Sequence, residues 1–134
     1  MRPASIVQFE RLFLGALALD VVVDVLTWNA AMATSKAYPE LAAIGPAMVI
    51  GIMAVGTALA LLLWYLAARR ASKVAKWLIA IWFVLSTVLL ALSLFRGISF
   101  AVPVVLGWLA YLLRAWSVSY LFKPDADAWF ASKR

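Results

Sequence analysis

Three ionisable side chains lie deep in apolar sequence: Asp20 and Asp24 in LFLGALALDVVVDVLTW, and Arg114 in GWLAYLLRAWSV. Two acids four residues apart share one helix face. Each costs about 2.5–3.5 kcal/mol near the centre of a membrane helix, so such groups turn toward protein and find partners. Asp20 lies eight residues past Leu12, and Arg114 lies eight before Phe122. At 1.5 Å per residue both sit about 12 Å in from the same side, so they are expected to pair. Asp24 is one turn further on. Tyr111, Thr57, Ser86 and Thr87 match its depth and are expected to join a polar cluster around it. Arginine keeps its proton, so one acid is the salt-bridged carboxylate and the other has no counter-charge. Asp20 is expected to be the paired member and Asp24 the protonatable one. Two readings of this cluster stay open: a lock that holds helices in register, or a site for transport or a ligand.

Other chemistry is excluded by residue type. With neither Cys nor His, the chain has no ligands for zinc-finger, haem, iron–sulfur or copper sites and no Cys or His catalysis. No nucleophile elbow, phosphate loop or glycine fingerprint occurs. Two Asp residues alone do not make an aspartyl protease. No metal, cofactor or enzymatic activity is expected.

The elements that must position these residues follow from composition. Of 134 residues, 67% are hydrophobic and 13% charged; globular chains run at roughly 45–50% and 25%. A soluble domain of this length leaves too much surface exposed to hide such a load, so the chain reads as an integral membrane protein. Disorder, collagen and a disulfide scaffold are excluded by the same composition. Four apolar runs are long enough to cross about 30 Å of hydrocarbon as helices: residues 12–32, 41–68, 74–95 and 100–122. They are continuous rather than alternating, which excludes a barrel. The short connections predict an all-α, up-down four-helix bundle forming a single transmembrane domain over 1–134, with a short interfacial tail at 123–134. Pro39 fits a first helical turn, and Pro46 and Pro103 lie near helix starts.

Orientation follows from the basic residues. Arg2, Arg11, Arg69, Arg70, Lys73, Lys76, Lys123, Lys133 and Arg134 fall on one side, and only Lys36 and Arg96 on the other. Both termini are therefore expected in the cytoplasm. The net charge of +6 marks loops facing anionic lipid rather than a nucleic-acid partner. Ala31-Met32-Ala33 resembles a signal-peptide cleavage site, but Asp20 and Asp24 interrupt the apolar region an export signal needs, so the first helix is expected to be retained. Trp64, Tyr65, Trp77, Trp116 and Tyr120 near the inner face, with Trp28 and Tyr38 near the outer one, suit interfacial anchoring.

Lesser features complete the reading. Arg69, Arg70, Lys73 and Lys76 are candidate contacts for lipid headgroups. Glu10 and Arg11 suit a local cap or a headgroup contact. Trp129 and Phe130 beside Lys133 and Arg134 suit an interfacial anchor. Ala47, Gly51, Ala54 and Ala58 form a small-residue stripe on helix two, expected to pack within the bundle, with a dimer interface as the alternative. Gly107, Ala110, Arg114 and Ser117 form a comparable face on helix four, which would turn Arg114 inward.

The opening SIVQFERLFLGALAL and the closing PDADAWF are similar to small, uncharacterised bacterial inner-membrane proteins with four helices. The resemblance covers about a fifth of the chain and implies a multi-pass protein of a bacterial inner membrane. Size and layout also resemble small multidrug-resistance transporters, which use a carboxylate in helix one; there it is a Glu, here an Asp pair, and the likeness is one of analogy. The leading expectation is a non-enzymatic accessory, partner-binding or lipid-binding subunit in the bilayer, as a homodimer or part of a larger membrane complex. The alternative is a small proton-coupled transporter or channel using Asp20 and Asp24.

Overall fold

The computed structural model describes residues 2–37, 44–95, 97 and 100–132. These form five helices: α1 (Ala4–Lys36), α2 (Gly45–Ala68), α3 (Lys73–Leu94), α4 (Val102–Tyr120) and α5 (Pro124–Ala131). The protein is all-helical, and α2, α3 and α4 are each long and apolar enough to cross a membrane. α1 has 33 residues, or about 50 Å of helix. It extends beyond the apolar run 12–32 at both ends: SIVQFER, which carries Ile6 and Phe9 into the core, and the stretch to Lys36 are also helical. Residues 123–134, expected as a tail, contain α5 instead. Residues 38–43, which include Tyr38, Pro39 and the expected start of the second helix, lie outside the described residues, as do Arg96, Lys133 and Arg134.

Proline and serine set the helix starts. Pro46, Pro103 and Pro124 each occupy the first turn of their helix, where a missing N–H costs nothing. Ser72 caps α3, its hydroxyl accepting the Ala75 N–H at 3.2 Å. The turn before it holds Ala71 in the left-handed region (φ 51°), and the Ser72 N–H reaches back to the Leu66 carbonyl at 3.0 Å. Such a closure returns the chain directly onto α2.

Each of α1 to α4 packs on the next, and α4 returns to α1, its most extensive contact. Packing is uneven along the bundle. At the end where α1 begins, Ile6, Phe9 and Phe13 meet Ala67 and Ala68 of α2, Ala75 and Ile79 of α3, Val118 of α4 and Leu121 just after it, and Ala126 and Phe130 of α5. Ile6 and Phe9 are fully buried, and the Phe9 and Phe13 rings lie 5.3 Å apart. Beyond Leu17 this core stops. Val25, Leu26, Ile52, Leu85 and Leu89 point outward, as side chains do when the solvent is itself hydrocarbon.

The small-residue stripe of α2 does not make the expected internal seam. Ala47, Ala54 and Ala58 are exposed, and a Cβ added at Gly51 would meet nothing within 4 Å. The packing of Ala67 and Ala68 sets the rotation of α2 and turns Gly56 and Ala60 inward instead. Small residues close one other contact: a Cβ at Gly45 would lie 2.9 Å from the Cβ and Oγ of Ser35. There the start of α2 crosses the end of α1.

Truncating the packed end removes contacts that lipid cannot replace. Phe9→Ala is expected to lower stability in detergent by about 3–5 kcal/mol, read by thermal unfolding. Phe95→Ala, at a residue 89% exposed, is expected to leave the midpoint unchanged.

Candidate functional site

The helix pairing brings Asp20 and Arg114 together. Arg114 Nη2 donates to Asp20 Oδ2 and forms an ion pair across α1 and α4, as equal depth requires. Two flanking residues of α4 explain why Arg114 arrives there. Ala110 and Ser117 are fully buried against α1, and the Ser117 hydroxyl donates to the Phe9 carbonyl at 3.3 Å. The expected face of α4 is thus the one that packs, except that a Cβ at Gly107 would meet nothing within 4 Å.

Asp24 has a different setting. Among the described residues its carboxylate has no hydrogen-bond or ion-pair partner. It fronts a recess of about 230 Å3 inside the helix ring. Asp20 and Arg114 lie on the recess wall with Thr57 and Gly56 of α2, while Phe13, Leu17, Met53, Ile79, Trp82 and Phe83 make it largely apolar. Asp24, Met53 and Thr57 also line an outer groove between α1 and α2, with Val21, Trp28, Asn29, Ala54 and Ala58 along it. Asp24 therefore stands where the two hollows meet.

The other expected members of the cluster divide. Thr87 and Tyr111 bond each other at 2.9 Å. The Thr87 hydroxyl donates to the Phe83 carbonyl at 2.8 Å, so its single proton is engaged and the Tyr111 hydroxyl donates to it. The Tyr111 ring stacks on Phe83 with centroids 5.3 Å apart. This link joins α3 to α4 away from the recess. Ser86 donates to the Trp82 carbonyl of its own helix at 2.9 Å and joins neither group.

The polar groups at the packed end are largely used within the protein. Glu10 accepts from Arg69 at 2.7 Å and from Arg2, rather than capping its own helix. Burial pushes its carboxyl up, but the two guanidiniums outweigh this and hold it below the ordinary range. Asp125 accepts the Ser5 N–H at 3.2 Å, and this bonding holds its carboxyl low. Lys76, expected at lipid headgroups, is only 7% exposed. Its Nζ donates to Asp127 at 2.6 Å and lies 4.4 Å from the Phe122 ring centroid. Arg69 lies over the Trp64 ring. Arg70 and Lys73 are exposed and face outward, as a headgroup contact requires. Reading by apolar runs missed the α5 clasp, because Asp125 and Asp127 fall outside any run; the signal was an acid pair in the first turn after Pro124.

Among the described residues no group of three or more His, Cys, Asp or Glu could hold a metal ion. Comparison with protein-family models, with curated proteins and with solved structures finds no match to this chain.

Two outcomes follow from this division of roles. Asp20→Asn leaves Arg114 without its counter-charge and is expected to cost about 1.5–3 kcal/mol. Asp20→Leu combined with Arg114→Met recovers most of that loss, because neither member of the pair is left without its counter-charge. Asp24→Asn leaves the unfolding midpoint near the wild-type value. Glu10 stabilises the fold while ionised. Its contribution is present above its ordinary value of 4.5 and fades as pH falls below it. The melting temperature is thus expected to drop on acidification below about 4.5, and less so in Glu10→Gln.

Proposed function

We propose that this chain is a small non-enzymatic protein that crosses a bacterial inner membrane four times, with both termini cytoplasmic, and acts there by binding. It would serve as an accessory, partner-binding or lipid-binding subunit. The observation that carries this reading is the recess itself. Four helices are closed at one end, yet they leave about 230 Å3 of mostly apolar space between them beside an unpaired acid, and a cavity of that kind is the default place for a guest. Four spans are supported by α1, which has the length to cross alongside α2, α3 and α4. Cytoplasmic termini are supported by the basic residues gathered at the packed end, where Ser5 and Asp125 bring the chain ends together. The bacterial inner membrane rests on the resemblance at the two ends.

Asp24 favours a second reading, a proton-coupled carrier, because a carboxylate without a counter-ion at this depth can exchange a proton with a cargo.

Topology is tested with single cysteines, which are unique because the chain has none. A cysteine replacing Lys36 is expected to react with a membrane-impermeant maleimide in intact cells. One replacing Ser132 is expected to react only after lysis, and the opposite pattern would overturn the orientation. For function, native mass spectrometry of gently released protein is expected to show a stoichiometric guest or partner subunit. A bare protein that drives Asp24-dependent proton flux in vesicles would replace binding with the carrier reading.

A further inference from the structure

We infer that the recess takes a neutral, membrane-dissolved alcohol, one hydroxyl on a compact apolar body, which enters from the bilayer between α1 and α2 and hydrogen-bonds both Asp24 and Thr57. This rests on the binding reading above and names the ligand class of the same site. The first ground is a hydroxyl that breaks the pattern of the helices. Thr27, Thr34, Ser86, Thr87 and Ser93 each donate to a carbonyl of their own helix, the usual resort of a hydroxyl in a helix interior. Thr57 does not, and among the described residues its hydroxyl has no hydrogen-bond partner. It lines the recess and the outer groove alike, as Asp24 does. Two polar side chains thus stand without partners where the hollows meet, and unmet polar groups are costly away from water.

The second ground is the chemistry that meets both groups. A hydroxyl donates a proton and also accepts one. A carboxylate and a carboxylic acid each present an oxygen that accepts, so the ligand donates to Asp24 in either protonation state. Its own oxygen accepts the Thr57 proton. An ammonium group has no acceptor to offer Thr57, and a ketone or an ether has no proton to offer Asp24. The third ground is depth and shape. Asp24 lies twelve residues past Leu12, about 18 Å into a hydrocarbon layer of about 30 Å. A charged headgroup pays far more than a hydroxyl to reach that depth, so the ligand is a free alcohol rather than a phospholipid. Val21, Val25, Ala54, Ala58 and Leu61 make the approach along the groove apolar. Inside, Phe13, Leu17, Ile79, Trp82 and Phe83 surround about 230 Å3. Since about 150 Å3 already admits benzene, one ring or a short branched chain fills the apolar part.

Phenethyl alcohol is a probe of that size. Propylbenzene is its isostere without the hydroxyl, and phenethylammonium is its charged counterpart. Binding to the protein in nanodiscs is followed by calorimetry and tryptophan fluorescence, with empty nanodiscs as the blank, since Trp82 lines the recess. Saturable binding of the alcohol is expected, about fivefold or more tighter than that of propylbenzene. Thr57→Val and Asp24→Leu are each expected to remove this margin while propylbenzene binds as before. Asp24→Asn keeps an accepting oxygen and is expected to bind the alcohol as the wild type does. Gly56→Leu fills the recess, since a Cβ at Gly56 meets nothing within 4 Å, and is expected to abolish binding of both while the thermal midpoint is kept. Equal binding of the alcohol and propylbenzene, or tightest binding of the ammonium, would overturn the alcohol inference yet leave the binding reading standing. No saturable binding of any probe would overturn the assignment of the recess as a small-molecule site. The binding reading would then rest on the native mass spectrometry above, where a partner subunit still sustains it.

Discussion

Hydrocarbon does not hydrate a guanidinium, and the arrangement of this bundle depends on that one fact. Arg114 keeps its charge at any physiological pH. Within α4 nothing can neutralise it, so α4 must lie against an acid at the same depth. Asp20 is that acid, and the pairing makes α1 and α4 neighbours along most of their length. Once these helices are joined, short connections leave α2 and α3 only the remaining two sides of a ring. A chain with two acids and one such cation also carries a consequence: the second acid, Asp24, is left to face whatever space the ring encloses.

At the packed end the same charges act under other rules. Glu10 gathers Arg2 and Arg69, and Asp127 takes Lys76, where water can reach most of the groups. Each pair joins one largely covered member, Glu10 or Lys76, to more exposed partners, so its net contribution is modest. Their role is geometric: Lys76 lies between α5 and the Phe122 ring, and Asp125 ties α5 to the first turn of α1. The clasp covers Phe9, Ala126 and Phe130, and these give the protein its only deep core among the described residues.

How far the sequence could be read depended on which residues carry unambiguous constraints. Asp20 and Arg114 were legible because depth along a helix is a matter of counting, and because charges in lipid have few options. Ser86, Thr87 and Tyr111 shared the right depth, yet hydroxyls can return to their own backbone, as Ser86 does, or pair elsewhere, as Thr87 and Tyr111 do. Depth alone does not choose between these. The ends of α1 were hidden because an apolar run marks hydrocarbon thickness, not helix length. The stripe from Ala47 to Ala58 misled for a related reason. Small residues permit close approach without demanding it, and the rotation of α2 is set a full two turns away by Ala67 and Ala68.

The open half of the bundle is consistent with the physics of its solvent. In water, Val25, Ile52 and Leu89 would close over one another to escape exposure. In lipid they gain little by doing so, because acyl chains contact them as well as other side chains would. Helices in a bilayer therefore stay together where polar bonds or close packing hold them, and part where neither exists at small cost. α1 and α2 follow this rule, packing at Phe13 and at Ser35 with a groove lined by Asp24 and Trp28 in between. A recess beside Asp24 is thus compatible with a stable fold, and its cost falls on one unpaired charge rather than on the apolar walls.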